Sequence, residues 1–411
     1  MNRFVLNSLL DTDLYKLTMG QIAFKKYRNL NAVHRFTLRS DNVDLGPLYG
    51  KINQEMEHYC SLKFTQDELK YLKNLNYFEE EYLQFLEGFQ PKFSHLSIQR
   101  NSSVNGGIEI ESKGSWAETI FFEVPILSLI NELYYLDRDA VTHYQEGERR
   151  LEPKVEALKR LADDFGLQGQ GLLVEFGTRR RFRGEWHDRL LNLLKQGLGD
   201  LLGGTSNVAL AQKHSLSPMG TMAHEYIQAF QVISDDLANS QSLALTTWLE
   251  QYGEMLNCAL SDTLGTDLFL KEFDGELAER FNALRHDSGS PLAWVEKVWQ
   301  HYMKLNLDPA QKTVLFSDGL NMEQVEVILK FMMDRKIPMQ PRFGIGTNLT
   351  HDVGLRPLSV VMKLVELDGQ PVCKISDDPG KISGVSPEYL ERLRQTFGEE
   401  SIPEIDPIKQ T

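Results

Sequence analysis

Six short apolar segments between residues 172 and 347 constrain the fold more than any other feature of the sequence. Each is separated from the next by a longer stretch with apolar residues at helical spacing. Short apolar runs that alternate with helices are typical of parallel βα units. Because we count about six or seven such units rather than eight, the sequence predicts an irregular, incomplete α/β barrel. The segments are LLVEF, DLLGG, LNCALSD, ALRHDSG, TVLFSDG and PRFGIGT.

A small, charged or hydroxylated cluster closes each of these segments. In a barrel the carboxyl ends of parallel strands meet on one rim, and that rim carries the catalytic groups. One such cluster could be a helix cap and nothing more, but six at successive strand ends predict a shared site. The clusters are Gly177-Thr178-Arg179, Gly204-Thr205-Ser206, Asp262-Thr263, Arg285-His286-Asp287-Ser288, Ser317-Asp318-Gly319 and Gly344-Ile345-Gly346-Thr347.

The two ends of the chain have a different pattern. Alternating apolar residues and a hairpin signal at Asn105-Gly106-Gly107 predict an antiparallel sheet with helices. After Gly346 the chain again has a strand pattern with a hairpin at Asp368-Gly369, and a last helix is predicted from Pro387 to Phe397. We therefore predict an N-terminal open-faced α+β sheet domain over 1–140, completed by 350–411, and the barrel over 141–349.

The stretch from Gly204 to Phe230 contains two Gly-Thr turns, and each opens a helical pattern. Free N–H groups at helix starts, with the hydroxyls of Thr205, Ser206 and Thr221, predict a cradle for an anion. His224 follows the second turn, where its imidazole could meet a bound phosphate while the carboxylate of Glu225 orients the ring. A lone histidine is more often a buried structural residue, and the neighbouring clusters favour the functional interpretation.

Fixed cations and carboxylates accompany these donors on the predicted rim. Arg179 and Arg285 are the cations, and Asp262, Asp287 and Asp318 are the carboxylates. Such groups suit a phosphorylated sugar. Spacing does not separate ribose binding from Mg²⁺ binding for Asp287 and Asp318, so the metal ligands stay unassigned.

Composition excludes several classes of partner. With 44 basic and 58 acidic residues the formal net charge is −14, which disfavours nucleic acid and anionic membranes. We therefore interpret the run from Arg180 to Arg183 as a solvated helix face.

The chain lacks a GxxxxGK[ST] loop and the third glycine of a dinucleotide fingerprint. Three scattered cysteines and the lack of a secretory signal or membrane span predict a cytoplasmic protein.

Nine strings in order strongly resemble the nicotinate phosphoribosyltransferase family: DTDLYKLTM, EFGTRRR, GGTSNVALA, GTMAHE, LSDTLGT, RHDSGSP, FSDGLN, GIGTNL and SDDPGK. The resemblance covers most of the chain. It implies a type II phosphoribosyltransferase that joins nicotinate to 5-phosphoribosyl 1-pyrophosphate in NAD salvage, with Mg²⁺. It also implies coupling to ATP hydrolysis through a transient phosphohistidine, and a possible homodimer.

The resemblance assigns roles by motif. His224 would be phosphorylated, and the pyridine ring would stack on Phe176 and on Tyr15, which can come from a neighbouring subunit. Arg179 and Arg285 would contact nicotinate or ribose phosphate groups, with Asp287 near the ribose. The 5-phosphate and ribose would be held by Ser317, Asp318, Gly319, Gly346 and Thr347, and weaker candidates for pyrophosphate or ATP contacts are Arg39, Lys374 and Lys381.

Ser206 favours nicotinate as the substrate over nicotinamide. Relatives that use the amide carry an aspartate in this turn, where an anion would repel the carboxylate of nicotinate, whereas a serine hydroxyl can donate to it. Two alternatives stay open: a nicotinamide or quinolinate phosphoribosyltransferase that does not use ATP, and a catalytically silent regulator that binds phosphosugars.

Overall fold

Two β-sheets organise the protein in the computed structural model, which describes residues 4–378, 386–398 and 402. One sheet is parallel and the other is antiparallel. The strands are β1 (Asn31–Leu38), β2 (Leu96–Arg100), β3 (Ile108–Ser115), β4 (Leu173–Glu175), β5 (Leu202–Thr205), β6 (Cys258–Leu260), β7 (Ala283–His286), β8 (Thr313–Phe316), β9 (Gln340–Ile345), β10 (Val360–Leu367) and β11 (Gln370–Pro371).

The parallel sheet has the strand order β5-β4-β9-β8-β7-β6, and every neighbouring pair runs parallel. Each of the six apolar segments supplies one strand. Their carboxyl ends lie at one edge of the sheet, so the polar clusters are brought together as the barrel-like pattern predicts. The predicted α/β class, with an irregular and incomplete barrel, is confirmed by this six-stranded sheet.

Helices connect and cover the strands. In α8 the apolar residues Trp186, Leu190, Leu194 and Leu198 recur at four-residue spacing and are buried, and Gly199, with φ of 52°, ends the helix. The helices are α1 (Leu14–Lys26), α2 (Tyr49–Tyr59), α3 (Gln66–Asn74), α4 (Glu80–Gly88), α5 (Trp116–Thr119), α6 (Glu123–Tyr134), α7 (Ala140–Asp164), α8 (Gly184–Leu198), α9 (Val208–His214), α10 (His224–Ile233), α11 (Ser240–Tyr252), α12 (Thr266–Glu272), α13 (Gly275–Arg280), α14 (Pro291–Lys304), α15 (Met322–Asp334), α16 (Thr347–Thr350) and α17 (Pro387–Phe397).

The antiparallel sheet has the order β11-β10-β1-β3-β2. Both predicted hairpins are present, since β2 pairs with β3 and β10 pairs with β11. Strand β10 lies beside β1, where Phe36 is opposite Met362. The C-terminal strands therefore return to the N-terminal sheet as predicted, and α17 has the predicted bounds. The domain boundaries at residues 140 and 349 stay a prediction.

Two hydrophobic clusters hold the molecule together. The main core includes Phe343 of β9 and Leu364 of β10, so the two sheets share it. A smaller second core forms around α17 and includes Leu393, Cys373 and Ile375. Among the described residues, no helix combines the length and the apolar character needed to cross a bilayer.

Candidate active site

A cleft of about 460 Å³ lies where the carboxyl ends of the parallel strands face β10 of the antiparallel sheet. Most of the predicted site residues line it. Thr205, Thr221 and Asp262 lie outside its lining, and Lys381 lies outside the described residues. The predicted residues that line the cleft are Tyr15, Arg39, Phe176, Arg179, Ser206, His224, Arg285, Asp287, Ser317, Asp318, Gly319, Gly346, Thr347 and Lys374.

A larger groove of about 830 Å³ lies elsewhere, between the end of α2 and α4. Its walls include Glu57, Phe85 and Lys92, and none of the polar strand-end clusters reaches it. The chemistry predicted from the sequence therefore belongs to the smaller cleft, where titratable groups and strand ends converge.

His224 is the first residue of α10, and Asp262, which follows β6, orients its ring. The Nε2 atom lies 2.8 Å from Asp262 Oδ1 and 3.6 Å from Asp287 Oδ2. Asp262 Oδ2 in turn accepts from Ser288 Oγ at 2.6 Å and lies 2.9 Å from the ammonium of Lys374. Because a carboxylate can only accept, Nε2 carries the proton in this hydrogen bond and Nδ1 keeps its lone pair.

The surroundings of His224 favour a neutral imidazole beside an ionised carboxylate. Burial, and next the charge of Lys374, lower the pKa of His224 below its ordinary value. Burial opposes ionisation of Asp262, but His224 and Lys374 hold the pKa of that carboxyl well below its usual range. A neutral imidazole with a free nitrogen is a competent nucleophile at neutral pH.

Glu225 does not orient His224, so that part of the sequence interpretation is wrong. Its buried carboxylate pairs with Lys16 and accepts hydrogen bonds from Trp116 Nε1 at 2.9 Å and His34 Nε2 at 2.8 Å. Successive residues of a helix point in different directions, and here the carboxylate reaches Lys16, His34 and Trp116 while the imidazole reaches Asp262.

Aromatic side chains form one wall of the cleft. Phe176 follows β4, and its ring lies over Gly344 of β9, where a Cβ would come within 2.4 Å of Phe176 Cδ2. Glycine is therefore required at 344 for the ring to lie where it does. Tyr15 of the same chain also lines this cleft. The two rings offer stacking surfaces for a flat ligand.

Arginines stand beside these rings. The side chain of Arg179 is 48% exposed in the cleft, and its Nη1 atom lies 3.4 Å from Glu123 Oε1. Arg285 donates from Nη1 to the carbonyl of Met222 at 3.2 Å, while its buried Nε has no hydrogen-bond partner among the described residues. Both guanidinium groups can bind an anionic ligand group from the cleft.

The first Gly-Thr turn is not an anion cradle, which corrects the interpretation from sequence. The N–H groups at the start of α9 donate to protein oxygens, such as the carbonyls of Thr12 and Leu10. The hydroxyl of Thr205 donates to Glu175 Oε2 at 2.6 Å, and that of Thr221 donates to the carbonyl of Cys258 at 2.7 Å. The hydroxyl of Thr205 is therefore bound at the end of β4 and that of Thr221 at the start of β6, and neither residue lines the cleft.

The loops after β8 and β9 form the opposite end of the cleft. Ser317 Oγ donates to the carbonyl of His286 at 2.9 Å and to Asp287 Oδ1 at 3.1 Å. The side chain of Asn348, next to Thr347, donates to the carbonyl of Leu320 at 2.6 Å and so ties the two loops together. Backbone N–H groups and hydroxyls of such loops suit a phosphate group.

Family models and relatives match most of this chain. The family model described as "Nicotinate phosphoribosyltransferase (NAPRTase) family" matches residues 172–401, and its N-terminal domain model matches residues 10–131. The chain belongs to the nicotinate phosphoribosyltransferase family. A protein of that name from Ralstonia nicotianae is 42% identical over 394 residues, which cover 96% of this chain and 99% of the relative.

Solved structures of nicotinate phosphoribosyltransferases share the fold. The structure from Vibrio cholerae superposes with a TM-score of 0.89 at 32% identity and covers 99% of this chain and 96% of its own. A putative nicotinate phosphoribosyltransferase from Saccharomyces cerevisiae has a TM-score of 0.83 at 29% identity, covering 97% and 99%.

The structure also corrects our interpretation of the arginine run that follows the family motif EFGT. Arg181 is only 2% exposed and forms two hydrogen bonds with Asp11, of 2.6 and 2.7 Å. Arg180 lines the cleft and donates to the carbonyl of Val360 at 3.0 Å. Arg183 donates to the carbonyl of Leu136 at 2.8 Å. These arginines are structural or cleft residues and not a solvated helix face.

Sequence reasoning missed further residues of the cleft. Asp13 lines it and accepts from Ser206 Oγ at 2.7 Å, and burial raises the pKa of this carboxyl. Lys363 of β10 lines it near Arg39 and Lys374, and burial together with these two cations lowers the pKa of Lys363 to about 7. The sequence signal for Lys363 is a charged residue between the apolar residues Met362 and Leu364 of a strand pattern.

Proposed function

We propose that this protein joins nicotinate to 5-phosphoribosyl 1-pyrophosphate, giving nicotinate mononucleotide and pyrophosphate, as a step of NAD salvage. We also propose that ATP hydrolysis drives the reaction through transient phosphorylation of His224. The observation that carries the proposal is the oriented imidazole of His224, which shares one cleft with an aromatic wall and two arginines. The names of relatives such as those from Ralstonia and Vibrio support the substrate assignment.

Nicotinate is placed by stacking and charge. Its ring lies against Phe176 and Tyr15, and its carboxylate meets a guanidinium of Arg179 or Arg285. Ser206 does not by itself favour nicotinate over nicotinamide, because its hydroxyl donates to the carboxylate of Asp13 at 2.7 Å. The preference for the acid therefore rests on the arginines and on the relatives.

The transfer is a substitution at C1 of the ribose. The bond from C1 to the pyrophosphate oxygen breaks with its electron pair, and the pyridine nitrogen donates its lone pair to form the new C1–N bond. No base is needed, because that nitrogen carries no proton. Arg39 and Lys374 on the β10 side of the cleft neutralise the leaving pyrophosphate.

ATP coupling uses the imidazole nitrogen that Asp262 leaves unprotonated. His224 Nδ1 attacks the γ-phosphorus, an N–P bond forms, and the bond to the ADP oxygen breaks as ADP departs. Water later cleaves the N–P bond, releases phosphate and restores the imidazole. Asp262 keeps the ring in its Nε2–H tautomer throughout, and Ser288 and Lys374 hold Asp262 in place.

The residues of the cleft fit Mg²⁺ bound with a substrate's phosphates. Mg²⁺ takes one or two carboxylates and completes its shell with phosphate oxygens and water. Asp287 is 29% exposed and Asp318 also lines the cleft, so these carboxylates would hold the ion. When bound, Mg²⁺ neutralises charge on the pyrophosphate or triphosphate group. A cytoplasmic location and a homodimer are further proposals for this protein.

A product assay with nicotinate, nicotinamide or quinolinate, each with and without ATP, tests the proposal. We expect product from nicotinate and stimulation by ATP. Turnover of nicotinamide or quinolinate alone would support one of the alternative phosphoribosyltransferases, and ligand binding without turnover would support a silent regulator.

His224→Ala tests the coupling step. We expect loss of ATP hydrolysis and of the ATP stimulation, because His224 is the only histidine that lines the cleft in the described part of the chain. His214→Ala is the matched control, because His214 also bonds an aspartate, Asp188 at 2.8 Å, but lies outside the lining of the cleft. Unchanged ATP hydrolysis in His224→Ala would show that the phosphohistidine role is wrong.

A further inference from the structure

Lys16 of α1 is fully buried between two carboxylates. Its ammonium contacts Glu225 and lies 2.6 Å from Glu123 Oε2. Burial alone would lower the pKa of Lys16, but the two carboxylates raise it above the ordinary value. Lys16 is therefore a permanent cation, although it lies behind the cleft and does not line it.

Glu123 connects this buried cation to the cleft. One of its carboxylate oxygens is bound to Lys16, and the other lies 3.4 Å from Arg179 Nη1. The contact of Glu123 with the Lys16 ammonium (2.6 Å) is 0.8 Å shorter than its contact with the Arg179 guanidinium (3.4 Å). The carboxylate is therefore bound primarily by the ammonium. The guanidinium of Arg179 remains half exposed to the cleft.

We propose that Lys16 is a positioning residue that keeps Arg179 available to an anionic substrate group by neutralising Glu123. Without the ammonium, the nearest strong cation for the buried Glu123 carboxylate is Arg179, and that carboxylate would compete with the substrate for it. The inference rests on the proposed function, because it requires that Arg179 bind a substrate anion.

The other partner of Lys16, Glu225, has further hydrogen-bond donors. Glu225 also accepts hydrogen bonds from Trp116 and His34, at 2.9 and 2.8 Å, so its carboxylate stays solvated by protein donors when Lys16 is replaced. The first turn of α10 therefore keeps its place. In a Lys16 variant, phosphorylation of His224 should therefore continue while substrate binding at Arg179 weakens. A general structural role of Lys16 would instead affect both.

The anion that Arg179 binds has two possible sources, the carboxylate of nicotinate and a phosphate of 5-phosphoribosyl 1-pyrophosphate. Both present oxygens that a guanidinium can bind through two hydrogen bonds. The test therefore measures the KM and the dissociation constant of each substrate separately.

The experiment compares wild-type protein with Lys16→Met, Glu123→Gln and the double variant. For Lys16→Met we expect the KM of one of the two substrates to rise at least tenfold, with kcat and His224 phosphorylation within about threefold of wild type. The double variant should return that KM to within about threefold of wild type, because the Glu123 carboxylate then no longer competes for Arg179. Lys312→Met is the control for removal of a buried lysine, since Lys312 is 5% exposed and lies outside the cleft lining.

Three outcomes would overturn the inference. They are an unchanged KM of both substrates in Lys16→Met, an equal rise in the single and double variants, and a parallel loss of His224 phosphorylation. If Lys16→Met does not fold, Glu123→Gln decides, because it should lower the KM of one of the two substrates, and unchanged or higher values for both contradict the competition. Calorimetry measures substrate binding by the same variants independently of turnover. If the wild-type protein binds both substrates but forms no product, only the proposed function is contradicted.

Discussion

His224 lies between a carboxylate that holds it and a cation that disfavours its protonation. Asp262 bonds Nε2 at 2.8 Å, and Lys374 sits 2.9 Å from the other oxygen of the same carboxylate. Burial lowers the pKa of His224 first and Lys374 lowers it further. The imidazole therefore becomes protonated only when the pH falls below the ordinary pKa of histidine, which is about 6.5.

Lys374→Met should move the acidic limb of the pH–rate profile to higher pH. Removing the cation removes a cause that lowers the pKa of His224 and leaves Asp262 to favour the imidazolium more strongly. A protonated imidazole cannot attack phosphorus, so activity is lost at a higher pH than in wild-type protein. The measurement is ATP hydrolysis by His224 between about pH 5 and 8.

Lys297→Met is the matched control, because Lys297 pairs with Asp267 on the surface and is 48% exposed. We expect its acidic limb to coincide with that of wild type. A limb that stays in place or moves to lower pH in Lys374→Met would contradict this account of the protonation of His224.

Phe176, Arg285 and Ser317, at the ends of parallel strands, line the cleft as the strand-end pattern predicts, and their roles there stay a prediction. Proximity in sequence does not make Glu225 the partner of His224, because adjacent residues of a helix do not face each other. Asp262, 38 residues later, makes the contact instead. Such partners depend on the order of strands in the sheet, which the sequence pattern does not specify.

At the scale of elements, an ion pair clamps the segment before α1 to the ends of β4 and β5. Asp11 accepts from Arg181 at 2.6 and 2.7 Å and from Asn207 Nδ2 at 2.7 Å. The clamp fixes the start of α1, which carries Tyr15 into the cleft. Arg181 is nearly completely buried, so its positive charge depends mainly on the carboxylate of Asp11 for neutralisation.

Asp11→Ala should lower the free energy of unfolding by about 3–5 kcal/mol, because it leaves the Arg181 charge buried without its main partner. Denaturant unfolding followed by circular dichroism measures the change. The control is Glu81→Ala, which breaks an ion pair with Arg28 whose side chains are 65% and 55% exposed. That variant should differ from wild type by about 1 kcal/mol or less, and an equal loss in both variants would contradict the clamp.

The strands and hairpins followed from local patterns. Helix α7 differs, because its buried residues begin at Gly147, whereas the helix begins at Ala140 with Asp139 capping the N–H of Val141 at 3.2 Å. The capping residue, and not the apolar stripe, sets that boundary. The strand order, with β9 between β4 and β8, depends on pairing between distant segments and is not encoded in any single one.

At the scale of the whole molecule, the second core links the C-terminal helix to the active site. Leu393 of α17 packs in the cluster that contains Cys373 and Ile375, the two neighbours of Lys374, together with Leu264 and Leu268 that follow β6. The segment that carries Lys374 is therefore held against the loop that carries Asp262 by apolar packing of α17.

Leu393→Ala should affect both stability and the pH profile. Leu393 is fully buried, and truncating a buried leucine costs about 2–5 kcal/mol. Because the cavity would lie beside the residues that flank Lys374, we expect the pair of Lys374 and Asp262 to weaken. The acidic limb of His224-dependent ATP hydrolysis should then move to higher pH, as in Lys374→Met.

Leu72→Ala in α3 separates this effect from a general loss of stability, because Leu72 is equally buried but belongs to the main core, away from α17. It should lower the free energy of unfolding by a similar amount and leave the acidic limb unchanged. If both variants shift the limb equally, the pH profile follows global stability. If neither shifts it, Lys374 keeps its place without the packing of α17, and the second core does not contribute to the active site.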